Sequence, residues 1–340
     1  MMRLRTGVLL VNLGSPESTS TRDVRRYLRE FLNDPKVIDL PGPLRWLLLN
    51  AVILPFRPRR SAALYRQIWM TAGSPLLVYG RALREAVSEE LGDDYRVELA
   101  MRYGKPTIAG ALERLAAADV ARILVLPLYP QYSTATTGSS VAAIEAAAQA
   151  RPEVAPIEQL PHFYADPHFI GAWAAVARPA LDAFAPDYTL FSYHGLPESQ
   201  IRAVHPEHCF ASAACCESVG EHNRLCYRAH CVATTRALAE ALELAPAAHG
   251  IAFQSRLGPS KWIGPSTDEQ LSELARAGQR RLAVLCPAFV ADCLETLEEI
   301  GSRAKQQWHD LGGEDLLLVP SLNAHPVWVS TVSDWIRTRA

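Results

Sequence analysis

Three features of the 340-residue sequence predict an α/β protein built from two similar, doubly wound domains on parallel sheets. First, apolar runs of strand length end in glycine-containing turns and are followed by helical spacing. Second, the chain repeats itself. Val8-Leu9-Leu10-Val11-Asn12-Leu13-Gly14-Ser15-Pro16-Glu17-Ser18 stands beside Thr189-Leu190-Phe191-Ser192-Tyr193-His194-Gly195-Leu196-Pro197-Glu198-Ser199. Arg122-Ile123-Leu124-Val125-Leu126-Pro127 is echoed by Arg281-Leu282-Ala283-Val284-Leu285, which continues into Cys286-Pro287. Third, the length exceeds what one hydrophobic core usually serves. The expected division is a first domain over 1–158, a second over 159–323 and a C-terminal helix over 324–340, with a ligand cleft between the two domains.

Composition narrows the partners. Half the residues are hydrophobic, a fifth are charged and the net charge is −2, with no long basic run, so nucleic acid is not an expected partner. The run Val8–Val11 is too short for a signal peptide, and no apolar stretch reaches the roughly 20 residues that span a bilayer. The expected location is cytoplasmic. Five of the seven cysteines crowd between Cys209 and Cys231. In a reducing compartment that crowding suggests a metal centre rather than disulfides.

In chain order, Gly7–Leu13 reads as a buried strand and Thr21–Leu32 as the helix after it. The segment 41–69 is unusual: Trp46 to Phe56 is almost continuously apolar, and Arg57, Arg59 and Arg60 follow at once. Two readings stand, a buried helix with a basic turn or an exposed apolar lip that meets a membrane face or an apolar ligand. Ser74 and Pro75 can open a helix. Tyr95–Met101 is a strand that delivers Arg102 and Tyr103, and Thr107–Ala118 is helical. Arg122–Leu128 is a strand followed by Tyr129-Pro130-Gln131-Tyr132-Ser133. Thr136 to Ser140 open an alanine-rich helix, as caps or as an anion cradle. Arg151–Gln159, with two prolines, reads as the junction.

The second half carries the sharper chemistry. Leu190 to Tyr193 runs into His194, and Gly195-Leu196-Pro197 breaks the strand, so the histidine stands at its carboxyl end. Ligands bind at that edge of open α/β sheets. The segment 203–231 has no period and reads as an insertion. Trp262 is held in a rigid Gly/Pro loop, as a flat wall or as a core plug. A helix from Asp292 to Trp308 carries Leu294, Leu297, Gly301, Ala304 and Trp308 as its inner stripe, with Glu295 and Glu299 flanking it. Asp292 as N-cap with Glu295 as the third helical residue would be close to a capping box.

Taken together these motifs resemble the ferrochelatase family, enzymes that insert ferrous iron into a porphyrin. The resemblance runs almost end to end. It rests on Asn12-Leu13-Gly14-Ser15-Pro16, on Tyr129 to Ser133 with Thr136 to Ser140, and on Phe191 to Pro197. Gln254-Ser255-Arg256, Gly258-Pro259 with Trp262 to Pro265, and Asp292 with Glu295-Thr296-Leu297 complete it. It implies a fold of two Rossmann-like domains with the porphyrin in the cleft, and protoporphyrin IX and ferrous iron as substrates, with two protons released. It also implies His194 as proton acceptor and Glu295 as its partner carboxylate. Glu299 and Asp292 would continue an acidic path for the metal. Leu13, Tyr65, Arg102, Tyr103, Tyr129, Ser133, Trp262 and Phe289 would surround the macrocycle, with Arg102 a sensible partner for a propionate. Some members hold a 2Fe–2S cluster in an internal insert, and Cys209, Cys215, Cys216 and Cys226 match that, with Cys231 in reserve. Peripheral contact with the inner face of the membrane would follow from the lip. A cobalt or nickel chelatase of the same superfamily, or a tetrapyrrole carrier, are the alternative readings.

Overall fold

The computed structural model describes residues 5–207, 209, 210, 212, 214–256 and 260–340. Gly258-Pro259 of the loop motif, and Met1 to Leu4, lie outside the described residues. The chain forms two compact units. One comprises 1–129, 134–161 and 328–340; the other comprises 130–133 and 162–327.

The first unit is organised on β1 (Arg5–Ser15), β2 (Tyr95–Gly104), β3 (Val120–Pro127) and β4 (Ile157–Gln159), all parallel and ordered β2-β1-β3-β4. Val8 to Val11 on β1 are wholly buried, because a central parallel strand is covered on both faces. One face packs Leu9, Val11, Val125 and Ile123 against Ile108, Leu112 and Leu115 of the helix Ile108–Ala117. β4 lies inside the segment read above as a junction. That expectation is corrected: Ile157 to Gln159 pair with Ile123 to Val125. The C-terminal helix Pro326–Arg337 joins this unit through Arg337, whose Nη2 donates to the Glu90 carbonyl at 2.8 Å.

The second unit repeats the plan. β5 (Tyr188–His194), β6 (His249–Gln254), β7 (Arg281–Leu285) and β8 (Asp315–Leu318) are parallel and ordered β6-β5-β7-β8. Its core joins Leu190, Ala252, Leu282 and Val284 to Leu271, Ile300 and Trp308. Trp308 has no solvent exposure, and its indole N–H donates to the Arg280 carbonyl at 3.0 Å.

Two helix expectations are corrected. The single helix over Asp292–Trp308 is instead an α-turn, Leu294–Leu297, a π-helical stretch, Glu299–Ala304, and a short α-helix, Lys305–Asp310. Leu294, Leu297 and Gly301 of the proposed stripe are only half-buried, while Ile300, Ala304 and Trp308 face the core. The inserted π-turn shifts the 3.6-residue register that the stripe assumed. The N-cap is Cys293, with Thr296 completing the capping box, one place later than the Asp292–Glu295 reading.

The segment after residue 41 folds as Gly42–Leu47, a π-turn Leu48–Ile53 and the helix Leu54–Ile68. Leu49, Leu54 and Tyr65 turn inward. Leu44, Trp46, Leu47, Val52 and Phe56 do not: they are 54–69% exposed. The buried-helix reading therefore fails for the outer face, and the exposed lip stands. Among the described residues no helix is long and apolar enough to cross a membrane.

Candidate active site

β5 ends on His194 because Gly195 allows a close approach that no other residue would. A Cβ on Gly195 would lie 2.8 Å from the Gln254 carbonyl and 3.2 Å from the Trp262 ring. The Gly195 amide donates to that same carbonyl at 2.7 Å. The next loop is fixed by two bonds to the Trp262 loop, from the Ile263 amide to the Leu196 carbonyl and from the Glu198 amide to the Lys261 carbonyl. Trp262 is thus a half-buried wall beside the strand end, not a core plug.

The His194 ring has a defined polarity. Nδ1 lies 2.6 Å from the Gly195 carbonyl, which only accepts, so Nδ1 carries the hydrogen. In the neutral ring this leaves the lone pair on Nε2, the nitrogen that can accept a proton. The Tyr227 phenol donates to the His194 carbonyl at 2.8 Å, and the Phe289 ring lies 6.4 Å away.

Glu295 is half-buried in the turn Leu294–Leu297. Its carbonyl accepts from Gln254 Nε2 at 2.6 Å, and Gln254 is the Cα partner of His194 across the sheet. The structure therefore brings the backbones of His194 and Glu295 together around one residue that the sequence reading quoted only as part of a motif. Glu299 is anchored: Ser255 donates to its carboxylate from both the amide (2.8 Å) and the hydroxyl (2.6 Å). Ser255 adopts a left-handed backbone, φ 64°, to do so.

Asp292 is a structural carboxylate. It is buried and accepts from Thr296 Oγ1 (3.0 Å), Asn323 Nδ2 (2.8 Å) and the Ser321 amide. Those bonds engage both carboxylate oxygens. Glu298, which the sequence reading missed, is buried beside Glu295 and Glu299. Burial holds its carboxyl above the usual range; Arg303 opposes this, while the Glu299 and Glu295 charges add to it. A signal was available in the sequence, three carboxylates within five residues, but its inward direction depends on the π-turn.

On the first unit, Leu13 lies at the end of β1 and Tyr65 is buried on Leu54–Ile68. Arg102 and Tyr103 belong to a polar network centred on Asp34. The Asp34 carboxylate accepts from Arg102 Nη2 (2.6 Å), Tyr103 Oη (2.8 Å), Ser139 Oγ (2.5 Å) and the Lys36 amide (2.8 Å). Burial alone would raise this carboxyl. The bonds from Ser139, Lys36 and Tyr103, with the Arg102 charge, outweigh that and hold it below its ordinary value. Arg102 is thus paired with Asp34 through Nη2 and with Ser139 through Nε. Tyr103 is wholly buried and supports Arg102 from behind, its ring 4.4 Å from the guanidinium. Tyr129 Oη shares a hydrogen bond with Ser140. Ser139 and Ser140 are fully buried, and the helix Ser139–Gln149 has no side-chain cap, so the cap and anion-cradle readings both give way to this network.

Ser133 is buried on the loop 130–133, which is counted with the second unit. That loop is tied to the helix Tyr227–Ala241 by the Tyr132 amide, donating to His230 Nδ1 at 3.1 Å, and by Gln131 Nε2, donating to Thr234 at 3.0 Å. His230 is fully buried, which pushes its imidazole down to about 4.

All seven cysteines are free thiols. Cys215 and Cys216 have their sulfurs 3.5 Å apart, and Cys226 is hydrogen-bonded to both Cys216 and Cys209. The Cys216 bond, helped by the Arg228 and Ala229 amides, lowers the Cys226 thiol although burial opposes it. Such amides at a helix start favour thiolate. Cys231 is set apart: it is wholly buried, hydrogen-bonded with Tyr227, and pushed well above the ordinary thiol range by burial. Among the described residues no group of three or more His, Cys, Asp or Glu side chains forms a site for a metal ion.

Two parallel sheets of one strand order, each with helices between its strands, define an α/β chelatase-like protein. Similar solved structures are SirB from Bacillus subtilis with Fe3+ (TM-score 0.52, 14% identity, 99% of this chain and 96% of that one). The sirohydrochlorin chelatase SirB from Bacillus subtilis subspecies spizizenii in complex with cobalt is similar too (TM-score 0.54, 13% identity, 99% and 96%). At such identities the likeness is one of fold. The sequence carries the rest: the chain belongs to the ferrochelatase family, whose profile, described as Ferrochelatase, matches residues 5–340. Relatives named Ferrochelatase include one from Coxiella burnetii (strain Dugway 5J108-111), 51% identical over 97% of this chain and 92% of its own. Others come from Pseudomonas entomophila (46%, over 96% and 97%) and Bdellovibrio bacteriovorus (43%, over 98% and 99%).

Proposed function

We propose that this protein inserts ferrous iron into protoporphyrin IX to give protohaem, releasing two protons. The observation that carries the mechanism is the 2.6 Å contact of His194 Nδ1 with the Gly195 carbonyl. With Nδ1–H committed to the Gly195 carbonyl, Nε2 is the acceptor for a pyrrole proton. Glu295 takes the second role, passing protons or holding the incoming iron, because a carboxylate binds ferrous iron less tightly than thiolate does and releases it. Glu299, fixed by Ser255, and Glu298, its carboxyl raised by burial, extend the acidic turn. Asp292 is left out of the metal path. Trp262 and Phe289 supply rigid faces against which the macrocycle bends, exposing its nitrogen lone pairs. Leu13, Tyr65, Arg102, Tyr129 and Ser133 are the further macrocycle residues, with Tyr103 behind Arg102.

Protoporphyrin is favoured over coproporphyrin because the exposed lip suits a substrate with fewer carboxylates. The same lip, with Arg59 and Arg60 exposed after it, suits a cytoplasmic protein docked peripherally on anionic lipid. For the insert we propose a 2Fe–2S cluster on Cys209, Cys215, Cys216 and Cys226. The 3.5 Å approach of the Cys215 and Cys216 sulfurs and the lowered Cys226 support this reading. Burial raises the Cys209 and Cys215 thiols, and the Cys226 bond together with burial raises that of Cys216, so a cluster would have to displace their protons; Cys231 is wholly buried in the core.

The test is anaerobic incubation with ferrous iron and either protoporphyrin or coproporphyrin, followed by absorbance. Conversion of protoporphyrin to protohaem is expected. Binding without conversion would support a carrier, and conversion with cobalt or nickel alone would support the other chelatase reading.

A further inference from the structure

Gln254 is a fully buried amide in which every polar group is directed. Its backbone carbonyl accepts from Gly195, the residue after His194. Its Nε2 donates to the Glu295 carbonyl, and its Oε1 accepts from the Ser192 hydroxyl at 2.6 Å. The Ser192 hydroxyl is itself 2.9 Å from Thr267 Oγ1, so the amide cannot turn over without breaking two bonds. One residue thus fixes the strand end that carries His194 and the helix turn that carries Glu295.

The internal repeat supplies a second observation. Leu13 and His194 are equivalent in the repeated stretch. On β2, the residue between Met101 and Tyr103, the register partners of Asn12 and Gly14, is Arg102; on β6, the register partner of His194 is Gln254. Arg102 Nε donates to the carbonyl of Ser139, where the π-helical stretch Thr134–Gly138 that follows β3 passes into the helix Ser139–Gln149. Gln254 Nε2 donates to the carbonyl of Glu295, in the first turn after β7. Both units therefore use the same register position to hold the helix that follows their third strand.

We infer that Gln254 is a positioning residue for metal insertion, setting the placement of Glu295 relative to His194. This rests on the reading of those two residues as the reacting groups. A misplacement on the order of 1 Å in such a pair costs about 100-fold in rate. Gln254→Met keeps the shape and removes the side-chain bonds. It is expected to lower kcat roughly 10- to 100-fold while porphyrin affinity, read by fluorescence quenching, changes less than about threefold. Gln254→Glu retains the donor only while its buried carboxyl is protonated. Its kcat is expected to approach the wild-type value at low pH and to fall through one new ionisation as pH rises. A merely structural role would lower the melting temperature without adding that ionisation. If Gln254→Met does not fold, Ser192→Ala, which leaves Oε1 only the long bond from the Cys286 thiol, is expected to lower kcat severalfold. A folded Gln254→Met or Ser192→Ala protein with wild-type kcat, beside an inactive His194→Ala protein, overturns the inference alone. Full turnover in His194→Ala overturns the underlying reading, and the inference with it.

Discussion

Replacing Asp34 with alanine isolates the most connected carboxylate of the first unit. The change removes the acceptor for Arg102, Tyr103, Ser139 and the Lys36 amide at once. The Asp34 side chain is 6% exposed and that of Arg102 is 21% exposed, so the guanidinium left behind is only partly rehydrated. Removing one partner of a buried pair costs about 3–5 kcal/mol, and the access of water to Arg102 argues for the lower end, about 3 kcal/mol. At roughly 2–4 °C per kcal/mol for a unit of this size, the melting temperature should fall by about 6–12 °C. Asp34→Asn retains one acceptor oxygen and loses the charge, for about half that effect. Calorimetry and urea unfolding measure both, and a double-mutant cycle with Arg102→Met gives the coupling. The pH dependence has a definite sign. The folded carboxyl is held below its ordinary value of 3.8, so its stabilisation is complete above that value. It is lost as pH falls through the folded value, and the wild-type and alanine proteins should converge there. A melting temperature within 2 °C or so of wild type at pH 7, or strict additivity in the cycle, would refute the reasoning.

Four other outcomes are expected. His194→Ala should lower metal insertion at least 100-fold with porphyrin still bound, and Glu295→Gln should be comparably severe; an effect of Glu295→Gln on melting alone would return it to a structural role. The protein should co-sediment with anionic vesicles at low salt and be released by salt, each lip arginine near the surface contributing about 1 kcal/mol; Phe56→Ser with Trp46→Ser should weaken this, and wild-type indifference to vesicles would refute it. Anaerobically purified protein should be red-brown, with serine at Cys226 bleaching it and serine at Cys231 leaving the colour; a colourless, iron-free protein removes the cluster. Glu298→Gln should stabilise by about 1 kcal/mol at neutral pH, the advantage vanishing in acid, because a raised carboxyl loses stability as pH rises through it; equal melting across pH 4–8 would contradict the raised carboxyl.

The parallel core was legible because central strands are apolar on both faces, and the repeat gave both strand ends that matter. The exposure of Trp46 and Phe56 was not legible: an apolar run has the same letters whether its neighbours cover it or not. The break at Glu299 was missed because a π-turn has no composition of its own, and with it went the inward direction of Glu298. Arg102 was read as delivered to the loop after a strand ending at Met101, whereas it lies inside β2, which runs on to Gly104. Its pairing was not legible, since Asp34 is 68 residues away in sequence and nothing local marks it as the partner.

The comparison of Arg102 with Gln254 bears on why the reacting residues stand on the second unit. From the same register position both side chains reach a carbonyl in the helical stretch after the third strand, Arg102 at 3.2 Å and Gln254 at 2.6 Å. Their charges differ. A guanidinium beside the strand-end residue of the first unit needs Asp34 to neutralise it, and there that strand-end residue is the inert Leu13. A guanidinium in the place of Gln254 would lie beside His194 and Glu295. It would disfavour the imidazolium that forms when His194 takes a proton, and it would repel ferrous iron. A neutral amide gives the same hold with no such field. The chemistry is compatible with the half of the repeat in which the scaffold's own clamp carries no charge.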